Sequence, residues 1–183
     1  MTDGQQPAST AALSSTAPDW SREDKRFFEW APSRSLLAAI RSYQRHGGRN
    51  PFAALLRKWA VLRYRFWSVV TGADVPINTR IGGGLMMPHP NGIVIHPEVT
   101  IGPNCLILQQ VTLGFGRGGL PTIGGDVNIG AGAKILGGLH VGDHAVVAAM
   151  AVVTRDVPER ALMMGIPAKM VRQAAPDRSI WDD

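Results

Sequence analysis

The chain has 183 residues, 45% of them hydrophobic, enough for one packed domain with an appendage and too apolar for wholesale disorder. A formal net charge of +5 favours an anionic partner. The basic residues gather between Arg22 and Arg80 without a nucleic-acid reading motif, so a phosphorylated cofactor or a membrane surface suits them and nucleic acid is not expected. The lone cysteine, Cys105, excludes an intrachain disulfide and points to a reducing compartment. It occupies a place that other repeats fill with Val99, Val111, Val127, Ala133, Ala145 and Ala151, so it reads as a small buried side chain.

The first residues are polar, with neither the basic nor the apolar region of a secretory signal. No apolar run reaches the roughly 18 residues that span a bilayer. The expected location is cytoplasmic. Residues 1–31, rich in Ser, Thr, Ala, Gln and Pro, are expected to form a flexible tail.

Residues 32–72 form a helical region. From Pro32, Leu36, Leu37, Ile40 and Tyr43 recur at helical spacing and stop at Gly47-Gly48. A second helix is predicted after Asn50, an N-cap type followed by Pro51 at the first helical position. It runs through Leu55, Leu56, Trp59, Leu62, Tyr64, Phe66 and Val69 toward Gly72, and carries Arg57, Lys58, Arg63 and Arg65. A cationic aromatic helix of this kind can lie at a membrane interface, as a peripheral contact. Its aromatics are spread around the helix rather than confined to one stripe, which favours packing on a neighbouring element or a sister subunit.

The region 73–155 counts in sixes. Aliphatic residues stand at Val75, Ile81 and Met87, at Ile95, Ile101, Ile107 and Leu113, and at Ile123, Ile129, Ile135, Val141, Val147 and Val153. A six-residue period fits neither an α-helix nor a hairpin strand; it marks a solenoid of short strands and tight turns. Three hexapeptides close one triangular coil of about 18 residues. The fold class is therefore mainly β. The period ends at residues 156–183, a cap and tail in which Pro158 and Pro167 break the ladder and the chain folds back over the last coil.

Two steps break the count: eight residues separate Met87 from Ile95, and ten separate Leu113 from Ile123. The first forces a bulge that carries His89, and an imidazole is the usual general base toward a hydroxyl. A lone histidine in a turn is also common solvated surface.

The segments IGGGLMMPHPNGIVI, ILQQVTLG and IGAGAKILGGLHVGDHAVVAAMAVVTRDVPERALMMGIPAKMV resemble the serine acetyltransferase family of hexapeptide-repeat acyltransferases, over about residues 50–172. The resemblance implies a left-handed parallel β-helix, a homotrimer with further pairing of trimers left open, and transfer of acetyl from acetyl-CoA to a hydroxyl, with no metal. It assigns His89 as catalytic base and Asp74 as the acid that orients it, by a contact across adjacent layers. Ala131 and Ala149 match positions lining the pantetheine arm, Gly114 lies beside that channel, and Lys169 with Arg172 matches the basic tail that meets the CoA phosphates.

The match fails where the family holds serine. Pro88 stands beside His89 in place of an Asp, Asn50-Pro51 replaces an Asp-Pro, and the shorter loop GFGRGGLPT has no Arg-His pair. Arg117 is that loop's only charge and a candidate anion contact. A zwitterionic acceptor left without charged partners costs several kcal/mol. The expected acceptor is therefore a sugar or polysaccharide hydroxyl, as in the related short forms associated with exopolysaccharide and capsule acetylation. The alternatives are serine O-acetylation for cysteine biosynthesis and a non-catalytic trimeric scaffold. A zinc enzyme of the carbonic-anhydrase type, built on His89, His96, His140 and His144, has no suitable ligand spacing, and His140 and His144 are expected to be solvated turn residues.

Overall fold

The structure, a computed structural model, describes residues 13–26, 29–46 and 51–175. Two helices precede the solenoid. Helix α1 (Pro32–Arg45) has proline at its start and buries Leu36, Leu37, Ala39 and Ile40 completely. Leu36, Leu37 and Ile40 join Ala73, Val75, Leu85 and Met87 in one core, so α1 plugs the lower end of the solenoid. Helix α2 (Pro51–Thr71) packs along α1, buries only Ala60 and Thr71, and leans Tyr64 and Trp67 on the core. Its predicted cap, Asn50, lies outside the described residues, as do Gly47 and Gly48.

The first coil holds β1 (Arg80–Ile81) and β2 (Val94–Ile95). The second holds β3 (Thr100–Ile101), β4 (Leu106–Ile107) and β5 (Thr112–Gly114). The third holds β6 (Thr122–Ile123), β7 (Asn128–Ile129) and β8 (Lys134–Leu136). The fourth holds β9 (His140–Val141), β10 (Val146–Val147) and β11 (Val152–Val153). Strands stack in parallel into three walls: β1-β3-β6-β9, then β4-β7-β10, then β2-β5-β8-β11. Met86 extends the second wall down to the first coil, and Asp74 extends the third by pairing with Val94. The result is a parallel β-helix.

Each aliphatic residue of the six-residue count points inward: all thirteen are buried, Ile81 being the least so at 8% exposed. The residue two before is usually small or β-branched because it closes the same interior layer, the exceptions being Leu85, Pro121 and Leu139; Cys105 is among the small ones. Burial pushes its thiol up to about 12, so it holds no thiolate at neutral pH.

Above the fourth coil, β12 (Ala161–Met164) adds in parallel to β10, and β13 (Lys169–Gln173) runs antiparallel to β12. The fold-back expected after Val153 is this strand pair.

Residues 13–26 differ from the expected flexible tail. They form a strap across the turns between the first two walls. Asn104 accepts from the Asp19 N–H at 2.8 Å and donates to the Ser14 and Ala17 carbonyls at 2.8 and 2.9 Å. Arg22 donates to the Asn104 carbonyl. The strap ends in a 3-10 turn (Trp20–Glu23), whose Glu23 takes a forked ion pair from Arg41 of α1 at 2.8 and 3.1 Å. A Cβ at Gly125 would overlap the Ser15 carbonyl, so the strap can lie this close only over glycine. Polar composition hid this segment, because its anchors are main-chain groups and one asparagine.

Candidate functional site

The three walls meet at three columns of turns. The first column, between the β1 and β4 walls, has Gly84, Asn104, Asp126, His144 and Arg160 at positive φ, one per coil. The second, between the β4 and β2 walls, has Gly92, Gln110, Gly132 and Met150 in the same conformation. The third joins the β2 wall to the next coil and contains the long loop after Gly114.

His89 stands on the second column in the first coil, exposed on the bulge between Met87 and Ile93. Pro88 and Pro90 flank it, and neither supplies an N–H to a ladder. Ala131 and Ala149 occupy the same column two and three coils higher, joined by a hydrogen bond from the Met150 N–H to the Ala131 carbonyl at 2.8 Å. With parallel strands about 4.8 Å apart, Ala149 lies about 14 Å along the column from His89. Lys169 pairs with Met164, where β12 reaches the same column, and Arg172 sits farther along β13 opposite Leu162. His89, both alanines and Lys169 thus share one edge of the molecule, while Gly114 ends β5 on the far side of the adjoining wall.

Asp74 is exposed, its carbonyl accepting from the Ile95 N–H at 2.9 Å. It lies in the layer beneath His89, but among the described residues no hydrogen bond or ion pair joins the two side chains. Its charge is felt by Tyr64 of α2, whose phenol is pushed up first by burial and second by that charge. Tyr64 stood in the sequence as one aromatic among several, with nothing in its spacing to mark Asp74 as its neighbour.

Arg117 is not brought to His89. The loop from Gly114 to Pro121 closes as a small hairpin, Gly116 and Gly119 exchanging hydrogen bonds of 3.0 and 3.2 Å, and stacks on the Gly137–Gly138 turn. Arg117 is exposed on this third column. Pro88 instead borders a small cleft of about 130 Å³ lined also by Arg22, Arg34, Leu37, Leu85 and Met87. Sequence reasoning missed both arginines because one comes from the strap and the other from α1. Asn50 lies outside the described residues.

His144, expected as a solvated turn residue, is largely buried and bonds Asp126 through Nδ1 at 3.0 Å. Stacking of equivalent turns one coil apart brings them together. Burial is the main influence on Asp126 and pushes its carboxyl above the usual range, against the opposing pull of His144. Among the described residues no group of three or more His, Cys, Asp or Glu is placed to hold a metal.

A family described as Bacterial transferase hexapeptide (six repeats) matches residues 121–155. The serine acetyltransferase of Synechococcus elongatus is 38% identical over 108 residues, 56% of this chain and 44% of that protein. A solved serine acetyltransferase in complex with CoA superposes with a TM-score of 0.64 at 33% identity, over 78% of this chain and 58% of that one. Residues 121–155 carry the hexapeptide repeat, and the solenoid is similar in fold to that serine acetyltransferase. Soybean serine acetyltransferase complexed with serine agrees, with a TM-score of 0.61 at 34% identity over 76% of this chain and 56% of that one. The chain spans about half the length of the curated relatives it matches. None of these relatives is an exopolysaccharide or capsule enzyme, so that narrower likeness finds no support among them.

Proposed function

We propose that the chain is an acetyl-CoA-dependent O-acetyltransferase with its working edge on the second turn column. The observation that carries this reading is the single line formed by His89, Ala131, Ala149 and Lys169, on a fold shared with a serine acetyltransferase that binds CoA. Extended pantetheine would run along the turn amides of Ala131 and Ala149, with the phosphates toward Lys169 and Arg172, while Gly114 stands apart from it across the adjoining wall. His89 would take the acceptor hydroxyl proton, and the oxygen would attack the thioester carbonyl. The tetrahedral oxyanion needs backbone N–H donors, and its collapse expels CoA thiolate, which recovers the proton from the imidazolium. Asp74 would serve as the acid behind His89, closing onto it when substrates bind. A trimer, with sites completed between subunits, belongs to the same proposal.

The acceptor that the comparisons favour is L-serine, ahead of the saccharide hydroxyl expected from the sequence. The cleft at Pro88 adds no support of its own, because Arg34 pairs with Glu29 at 3.5 Å and Arg22 donates to the Asn104 carbonyl. A neutral saccharide acceptor is the second reading, favoured by Pro88 and by a hairpin whose one charge, Arg117, points away from His89's column. Following free thiol with acetyl-CoA and either L-serine or oligosaccharides separates the two. A kcat/KM for serine above about 10⁴ M⁻¹s⁻¹ supports the first. Turnover only with saccharides transfers the assignment to the second, and thiol release with neither overturns the enzyme reading.

A further inference from the structure

Among the described residues, one face of α2 is largely exposed to solvent. Phe52, Leu55, Trp59, Leu62, Phe66 and Val69 are 56% to 83% exposed. Their spacing alternates between three and four residues, so they form one stripe about 26 Å long at 1.5 Å per residue. The aromatics that seemed spread around this helix in the sequence fall into two stripes, since Ala60, Tyr64, Trp67 and Thr71 face the opposite way, onto the protein.

Cations border the exposed stripe on both sides: Lys58 and Arg65 on one, Arg63 on the other. The whole of α2 contains no aspartate or glutamate. Arg57 is turned away, stacked on Tyr43 at 4.5 Å. Trp30 is exposed as well, but it meets Trp67 edge-on at 5.5 Å and so belongs to the other stripe.

The spacing also suits pairing with a second α2, but the charges oppose it. With Phe52 at the first core position, Lys58 and Arg65 fall at g and Arg63 at e. A parallel pair then sets Lys58 against Arg63 of its mate, and an antiparallel pair sets g cations against each other. An anionic bilayer meets both demands, burying the stripe at the headgroup boundary and neutralising the cations. No described helix is long and apolar enough to cross a membrane, so the contact is a surface one.

We propose that α2 docks the protein on an anionic lipid surface through the Phe52–Val69 stripe, with Lys58, Arg63 and Arg65 among the headgroups. Only Gly72 and Ala73 separate Thr71, the last of α2, from Asp74, so the docked helix leads into the proposed catalytic layer.

The test is sedimentation of the full chain with vesicles of phosphatidylcholine, alone or with about a third phosphatidylserine. Binding is expected to the anionic vesicles, weakened as salt shortens the Debye length toward 3 Å at about 1 M. The triple variant Lys58→Gln, Arg63→Gln, Arg65→Gln keeps good helix formers and should bind about a hundredfold more weakly, each cation near an anionic leaflet contributing a factor of about five. Trp59→Glu, on the exposed face, should abolish binding without changing the circular dichroism or the sedimenting mass of the free protein. Equal binding to neutral vesicles, or an unaffected triple variant, overturns the proposal. So does a fall in mass for Trp59→Glu, which would make the stripe an interface between copies.

Discussion

The first and second turn columns use the same left-handed turn, repeated once per coil, yet only the first is covered by the chain itself. Along the first, the strap satisfies Asn104, seats on Gly125 and is held by the Arg41–Glu23 pair, while Asp126 and His144 satisfy each other. Along the second, Ala131 and Ala149 expose small side chains and His89 stands free on its bulge. One repeat geometry therefore serves two ends. Where polar turn side chains meet, the column binds its own chain; where small ones do, it remains open to an extended ligand.

The strongest way to break this contrast is at His89. His89→Ala should reduce turnover about 10²- to 10⁴-fold, the usual worth of a positioned base, while acetyl-CoA still binds by calorimetry. Retained turnover would remove the working role from the second column. Ala149→Trp should raise KM for acetyl-CoA about tenfold with thermal stability unchanged, since the added ring projects from an exposed turn. An unchanged KM would place the cofactor elsewhere.

On the first column the expected effects fall on stability. Asn104→Gly keeps the positive φ at no steric cost and deletes three strap hydrogen bonds. It should lower unfolding free energy by about 1–3 kcal/mol and admit proteases to residues 13–26, with kcat intact. Lost turnover at full stability would show that the strap belongs to the site. The smallest effect concerns Asp126. Burial holds its carboxyl above the ordinary 3.8, so its contribution to stability is complete below that value and is lost as pH rises through the folded value. Asp126→Asn should flatten this part of the stability curve by about 0.5 kcal/mol, readable in melts between pH 3 and 6. A wild type that instead gains on the variant as pH rises would mean that the His144 pair outweighs desolvation.

The interior was legible residue by residue, because a period of six has one physical meaning and each of its thirteen aliphatics is buried. The bulge at His89 was legible as an insertion against that period. The strap was not, since its anchors are carbonyls, an asparagine and a glycine, none of which leaves an apolar pattern. Nor was the Asp126–His144 pair, whose members are 18 residues apart and meet only once the coil length is known. The stripe on α2 was hidden by its opposite: two apolar faces superimposed in one helix look like none until burial separates them. Arg22 and Arg34 reach Pro88 from segments that no local motif connects to it.

The antiparallel turn of β13 onto β12 also fixes a length. Strands added in parallel could continue indefinitely, each coil templating the next. A reversed strand ends the series after the fourth full coil, with Lys169 at a set height above His89. The molecule is in this sense a ruler graduated in steps of about 4.8 Å. Inserting or deleting one coil of about 18 residues would leave every interior contact type intact while moving the basic end by a single graduation.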